Sequence, residues 1–319
     1  MKASSSFLLI LILPFITLMS CSKNDNGPQG NLGKRLTGSI LHQYTTEVKK
    51  IDASTSNEST LFSYKAGSTA GWDISHDGSL RLMSLREAGV YDRNRFKIIR
   101  VSDEVVLKEF DYIPRFGNYT NNRGELSFDN SLILVNPDHD NGIVIIDTDG
   151  TVKYRLDNIN DKQLTRDDKA VWLPDNSILI CFDGRFLLRG KAPFTNLTLV
   201  KEMNYENWGN LRVSNDGKKV SMVINDHIYI MDIDGSNLIQ VTESDGSEVF
   251  GEFSPDNKYL LVGADYFHAP VSSNSHWFLK IVPADGKKYN LNSSPEVIPV
   301  IPNGQKKIVK ANEVTYWRP

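Results

Sequence analysis

The sequence predicts an all-β fold, a six-bladed β-propeller. A strand, a tight polar turn and a second apolar strand recur six times along the chain. Successive turns are 40 to 52 residues apart, which is the length of one four-stranded propeller blade. No stretch shows a convincing 3.6-residue hydrophobic period, so helices are not expected.

Residues 1–20 are predicted to be a lipoprotein signal peptide. Lys2 precedes an apolar run from Phe7 to Leu18, which has the length of a secretory signal and is too short for a comfortable bilayer span. The run ends in Leu-Met-Ser-Cys, which resembles the bacterial lipobox, and Cys21 is the residue that would be lipidated. Ser22 resembles the outer-membrane sorting signal of gram-negative bacteria. We therefore expect an outer-membrane lipoprotein, facing the periplasm or the cell surface, attached to the membrane through lipid on Cys21.

Residues 21–35 are predicted to be a flexible tether, because Gly, Asn and Ser dominate them, and residues 36–319 are predicted to form the propeller. The six turns lie at residues 76–79, 128–131, 174–177, 215–218, 255–258 and 302–305. Their aspartates, with Asn303 in the last copy, are 52, 46, 41, 40 and 47 residues apart. Asp-Gly and Asn-Gly suit tight hairpins because both tolerate a positive φ. Each copy is therefore predicted to be the first hairpin of one blade.

The last blade is predicted to be built from both ends of the chain. The sixth turn is followed by residues enough for one strand, from Lys307 to Trp317. Residues 36–64 contain two strand-like runs with no turn motif of their own before them. Closure by both termini removes the open sheet edges that would invite aggregation, and it makes a single domain.

Three segments resemble a known repeat family. Residues 211–220, 228–242 and 253–260 look like the Trp-Asp-like repeat of TolB-type propellers, and the six turns extend the resemblance over almost the whole mature chain. The resemblance implies a six-bladed β-propeller. Propellers of this superfamily serve protein scaffolding, glycan binding and occasionally catalysis, and the fold does not choose among these roles.

Composition and motifs exclude several classes of function. The net charge is −3 and no run of Lys or Arg forms a stripe, so nucleic acid is not an expected partner. With Cys21 assigned to lipid, Cys181 stands alone in an apolar strand, which excludes a disulfide framework and favours a buried, inert thiol. Nucleophile-elbow, zinc and nucleotide motifs are absent from the sequence. Asp-x-Asp-Gly at 147–150 and 232–235 is better explained as turns than as calcium loops, because the closing Glu is missing.

Aligning the first strands of the blades predicts a set of channel residues. The innermost strands of a propeller line its central channel, and the residue four places before each turn is expected to face it. Counted from the turn Asp, or from Asn303 in the last copy, these residues are Asp73, Glu125, Val171, Arg212, Glu252 and Pro299. The charged members could bind a cation or a polar ligand, or neutralise one another around ordered water.

Aromatic and basic side chains supply further candidates for a binding surface. Trp72 and Trp172 occupy repeat positions that usually pack between blades. Rings on loops suit sugar stacking or a protein partner, and they are Tyr91, Tyr119, Tyr205, Trp208, Tyr266 and Phe267. Blades one and two carry arginines that could meet an acidic glycan or form a solvated rim: Arg86, Arg93, Arg95, Arg115 and Arg123. The residues expected to bind are Glu125, Arg212, Glu252, Tyr119, Trp208, Tyr266, Arg93 and Arg115.

The leading hypothesis is a non-catalytic, lipid-anchored propeller that binds an envelope protein or a glycan through its loop-bearing face. The alternative is a metal-dependent polysaccharide lyase acting on uronic-acid glycans, since oligogalacturonate lyases are similar in carrying a His-rich manganese site in a TolB-like channel. His139, His268 or His276, together with Glu252 and Arg212, would then be the catalytic or metal-binding candidates, with a divalent metal as cofactor. Repeat alignment does not place three His and a Gln together, because only His268 and His276 share a loop. A third hypothesis, a structural envelope component resembling TolB itself, is weakened by the predicted anchor and by the missing amino-terminal domain.

Overall fold

The computed structural model describes residues 32–33, 35–115, 121–135, 142–270 and 274–319, and the predicted signal peptide, Cys21, Tyr119 and His139 lie outside these ranges. Within them the chain is made of strands, turns and loops. No helix among the described residues is long and apolar enough to cross a membrane. The strands form six antiparallel blades, each with at least four strands, and the predicted six-bladed propeller is confirmed.

The strands follow the order of the blades along the chain. Blade six begins with β1 (Ser39–Tyr44), β2 (Glu47–Asp52) and β3 (Glu58–Ser63). Blade one contains β4 (Thr69–Ile74), β5 (Leu80–Leu85), β6 (Asn94–Arg100) and β7 (Val106–Tyr112). Blade two contains β8 (Gly124–Leu126), β9 (Leu132–Val135), β10 (Ile143–Asp147) and β11 (Val152–Leu156). A small hairpin follows, made of β12 (Asn158–Ile159) and β13 (Lys162–Gln163).

Blade three contains β14 (Ala170–Trp172), β15 (Ile178–Phe182), β16 (Phe186–Gly190) and β17 (Leu197–Glu202). Blade four contains β18 (Trp208–Val213), β19 (Lys219–Ile224), β20 (His227–Asp232) and β21 (Ile239–Gln240). The next strands are β22 (Thr242–Glu243), β23 (Gly251–Phe253), β24 (Tyr259–Phe267), β25 (His276–Pro283), β26 (Tyr289–Asn290), β27 (Ile298–Pro299), β28 (Lys310–Ala311) and β29 (Thr315–Arg318). Blade five is β23–β24–β25 with β27 and β28 both paired to β25, and β22 pairs with β26 in parallel.

Both termini close blade six, as predicted. The C-terminal β29 is its innermost strand and pairs antiparallel with β1, from Ser39 opposite Arg318 to His42 opposite Thr315. The predicted strand from Lys307 to Trp317 is wrong, because the sixth turn lies between β27 and β28 at the outer side of blade five. The Asn303 side chain in this turn donates to the backbone oxygen of Thr55, 2.8 Å away. The turn therefore contacts blade six and does not form the first hairpin of a blade. Pro-Asn-Gly makes a tight turn wherever it occurs and does not specify the pairing partner.

The turn aspartates explain why the motif recurs. In blade one, the Ser75 hydroxyl donates to Asp77 Oδ1 at 2.6 Å, and the Ser79 backbone N–H donates to the same oxygen at 3.0 Å. Blade two repeats the arrangement, and the hydroxyl of Ser127 and the groups of Ser131 hold the pKa of Asp129 at about 2. The turns of blades one and two are thus fixed by a short-range network in which the Asp carboxylate accepts the hydrogen bonds.

Buried apolar side chains of the described residues form six clusters, one between each pair of neighbouring blades. Trp72 and Trp172 are buried in two of them, which confirms the prediction that they pack between blades. The Trp172 indole N–H also donates to the Glu125 backbone oxygen at 3.0 Å, and this contact links blades three and two next to the channel. The blades are therefore fixed relative to one another around the central axis.

Candidate functional site

A central cavity of about 500 Å³ runs along the propeller axis and is lined by the innermost strand of every blade. The predicted residues Asp73, Glu125, Val171, Arg212 and Glu252 all line it. The sixth predicted residue, Pro299, is wrong, because Pro299 lies on β27 opposite Lys280 in blade five. Its place is taken by Tyr316, since β29 and not the segment before the sixth turn is the inner strand of the last blade.

An ion-pair network lies within the cavity. Glu252 bridges two arginines, with its Oε1 2.6 Å from Arg318 Nη1 and its Oε2 3.1 Å from Arg212 Nε. Arg318 is only 5% exposed, and its guanidinium lies over the Tyr316 ring at 4.7 Å. Sequence reasoning missed Arg318 and Tyr316, because counting from the sixth turn placed the last inner strand too early. The two terminal motifs Tyr-Trp-Arg-Pro and Glu-Phe-Ser-Pro, at 316–319 and 252–255, align and could have revealed the register.

Two carboxyl groups lie beside this network. Asp73 is buried and accepts a hydrogen bond from the Leu126 backbone N–H at 2.7 Å. Burial raises its pKa above the ordinary value. Burial and the charge of Asp73 raise the pKa of Glu125 to about 7. Near neutral pH the Glu125 carboxyl is therefore partly protonated, because burial and a neighbouring carboxylate both disfavour its ionised form.

His76 lines the end of the cavity at which the inner strand of blade one finishes. Its ring stacks on Phe128 with centroids 3.3 Å apart and planes 11° apart. Burial and the neighbouring Arg318 lower the pKa of His76 to about 2, so the imidazole is neutral. The stack supplies an apolar floor and not a base that titrates near neutrality.

The channel mouth is polar and carries both signs of charge. We define it as five lining residues at or near the start of the inner strands: Arg123, Lys169, Asn210, Asn312 and Glu313. The Arg123 Nε–H donates to the Ala70 backbone oxygen at 2.8 Å, and its Nη2 lies 3.4 Å from Glu313 Oε2. Asn210 donates from Nδ2 to the Val249 backbone oxygen at 3.0 Å. These contacts tie exposed polar side chains to the rigid strand ends.

The remaining predicted binding residues are spread over the surface. Tyr266 lines the central cavity and also a second cleft on blade five. Trp208 does not line either space; it packs in the apolar cluster between blades three and four, and its indole N–H donates to Gly184 O at 2.7 Å. Arg93 pairs with Asp92 and Asp111, and Arg115 pairs with Asp157, at exposed or half-buried positions that do not line the central cavity. Solvated ion pairs explain these two arginines without a ligand.

The lyase candidates that the structure describes are not brought into one site. His268 is exposed and lines neither cavity, whereas His276 lines the cleft on blade five. Glu252 and Arg212 lie in the central channel and pair with each other there. Among the residues that the structure describes, no three His, Cys, Asp or Glu side chains are grouped so that they could hold a metal ion.

Comparisons with known proteins show the fold. The chain resembles the crystal structure of TolB from Acinetobacter baumannii with a TM-score of 0.54 and 17% identity, covering 78% of this chain and 62% of that one. It resembles a protein assigned as TolB from Agrobacterium tumefaciens with a TM-score of 0.56 and 15% identity, covering 85% of this chain and 91% of that one. The chain thus spans about three fifths of the Acinetobacter protein. No protein-family model and no curated protein matches it. The TolB-like propeller fold inferred from the repeats is confirmed.

Proposed function

We propose that this TolB-like β-propeller is a non-catalytic, lipid-anchored protein of the gram-negative cell envelope that binds a partner protein at its channel mouth. The lipobox-like segment ending at Cys21 supports the anchor and the outer-membrane location. The loop-bearing face supports the binding role, because recognition residues commonly lie on loops held by a rigid scaffold.

The observation that carries the proposal is that Glu252 and Asp73 in the channel are already paired with neighbouring groups. Glu252 is held between two arginines, and Asp73 accepts a backbone hydrogen bond. Groups that are already paired stabilise the scaffold and hold a fixed field, whereas a catalytic acid or base needs to reach a substrate. The exposed charges lie at the mouth, where Arg123 and Lys169 come from adjacent blades and Glu313 from the last one.

A polypeptide segment fits this arrangement better than a flat surface contact does. A cavity of about 500 Å³ accepts a few side chains, and its opening presents cations beside an anion and two amides. We infer that the partner places an acidic group near Lys169 and inserts a short polar segment between the inner strands. Opposed charges at an opening steer encounter and fix register.

The test compares two exposed lysines on opposite faces. Lys169 lies at the mouth, and Lys218 lies in the first-hairpin turn of blade four, at the other end of the propeller. We expect Lys169→Glu to abolish co-purification of an envelope protein with the tagged chain and Lys218→Glu to leave it unchanged. Equal recovery with both variants would contradict binding at the mouth. Recovery of a glycan in place of a protein would support the other ligand class.

A further inference from the structure

A second concave surface lies on blade five, beside the channel mouth. It is a cleft of about 480 Å³, and we call it the aromatic cleft. Its lining residues are Gly246, Asp265, Tyr266, Phe267, His276 and Phe278. It lies where the long strands β24 and β25 approach their connecting loop. None of these residues belongs to the channel mouth, although Tyr266 also lines the central cavity.

The rings of the aromatic cleft are arranged around His276. The His276 ring centroid lies 5.2 Å from that of Phe267 and 5.6 Å from that of Phe278. Tyr44 from blade six meets His276 edge-on at 6.5 Å. Phe267 nevertheless remains 49% exposed, although ring packing would be expected to bury so large an apolar group. The cluster therefore holds an open aromatic face in a fixed position.

A backbone irregularity produces this exposure. The register of β24 against β25 shifts between Ala264 and Phe267, and Asp265 within the shift has a φ of 54°. Left-handed backbone is unfavourable for a residue with a side chain, and such strain gathers at binding sites. Without the bulge, strand alternation would send Tyr266 and Phe267 to opposite sides of the blade.

Asp265 lines the cleft, and an ion pair holds its carboxylate in place. Asp265 Oδ2 lies 2.8 Å from Lys280 Nζ, and Lys280 is 5% exposed and also donates to Asn292 Oδ1 at 2.7 Å. The other oxygen, Asp265 Oδ1, faces Gly246, where an added Cβ would come within 2.8 Å of it. The glycine keeps the space next to this acceptor open.

We propose that the aromatic cleft binds one pyranose unit of a β-linked glycan with equatorial hydroxyls. Such a ring has a flat face of axial C–H groups, which packs on an aromatic face, and an edge of hydroxyls, which donate to a carboxylate. Phe267 supplies the face and Asp265 supplies the acceptor. The site adds a ligand class to the protein and does not depend on the partner at the channel mouth.

The size and composition of the cleft favour a sugar over a protein. Stable protein interfaces use about 20–30 residues on each side, whereas six residues line this cleft. None of the six carries an aliphatic side chain, and the lining combines aromatic rings with the carboxylate of Asp265. Carboxylates are depleted at the centre of protein interfaces.

The experiment titrates the full chain with cellohexaose and with chitohexaose by isothermal titration calorimetry. We expect at least one of the two to bind. Phe267→Leu, which keeps the apolar volume and removes the ring, should weaken binding at least tenfold, and Phe267→Tyr, which keeps the ring, should retain it. Tyr91→Ala is the matched control, because Tyr91 is an aromatic side chain that is 69% exposed on blade one. It should bind as the wild type does.

Two results would overturn the proposal. One is the absence of binding of both hexasaccharides to the wild type, and the other is equal affinity of Phe267→Leu and the wild type. If the first result were accompanied by loss of a co-purifying protein from Phe267→Leu, the cleft would be assigned to a protein surface. The Lys169→Glu variant should bind the sugar normally, so failure of this proposal and failure of partner binding at the mouth are distinguishable.

Discussion

Replacing Arg318 by methionine tests the channel network and the closure of the last blade together. Arg318 Nη1 lies 2.6 Å from Glu252 Oε1, and both side chains are less than 8% exposed. Methionine keeps much of the apolar volume but leaves the Glu252 carboxylate with Arg212 as its remaining ion-pair partner, at 3.1 Å. Removing one partner of a buried ion pair costs about 3–5 kcal/mol, and because the pair with Arg212 remains, we expect a loss of about 3 kcal/mol.

The assay is chemical denaturation followed by tryptophan fluorescence, together with a thermal melt. At about 2 °C per kcal/mol for a chain of this size, the melting temperature should fall by about 6 °C. Arg100→Met is the matched control, because Arg100 pairs with Asp103 at 2.8 Å on the exposed surface. Such pairs contribute at most about 1 kcal/mol. If Arg318→Met were no more destabilising than Arg100→Met, the network would not hold the channel together and the reasoning would be refuted.

Three further predictions concern the same region. Burial raises the pKa of Glu125 in the folded protein to about 7 from an ordinary 4.5. The wild type should therefore lose up to about 3 kcal/mol of stability relative to Glu125→Gln as the pH rises from about 4.5 to 7. Denaturation curves that give the same stability difference between the two proteins across this range would contradict the prediction. Gly124→Ala should lower the free energy of unfolding by about 1–3 kcal/mol in urea titrations, because its added Cβ would lie 2.8 Å from Ile133 Cγ2. Gly33→Ala is the control and should leave the free energy of unfolding unchanged, because nothing lies within 4 Å of its added Cβ. Burial raises the pKa of the Cys181 thiol to about 12. Mass spectrometry should therefore show that alkylation of Cys181 at pH 8 is roughly 1,000-fold slower in the native protein than in urea. Equal alkylation rates would refute this prediction.

The periodic part of the structure could be predicted from the sequence because turn chemistry is local. Asp77 and Asp129 fix their hairpins through neighbours two residues away, so the motif reports the structure directly. The same locality explains the error at Asn303. Pro-Asn-Gly specifies a turn, but strand pairing depends on which chain segments meet, and here the final inner strand is β29.

The candidate site was predicted in part for the same reason. Inner-strand alignment found Asp73, Glu125, Arg212 and Glu252, since a fixed offset from a turn places a side chain at a fixed position in the channel. Arg318 depends on the pairing of the two termini and could not be found from the turn count. The aromatic cleft depends on a bulge and on the contact between blades five and six, neither of which has a periodic signal.

The most direct test of binding at the channel mouth is site-specific photo-crosslinking in a living gram-negative cell that contains the partner. A photoreactive amino acid is placed at Asn312, on the mouth, or at Lys218, on the opposite face. The account predicts a discrete crosslinked product from Asn312, absent from the Lys218 position and lost when Lys169→Glu is added. Crosslinks to the same protein from both positions, or from the Lys218 position alone, would contradict it.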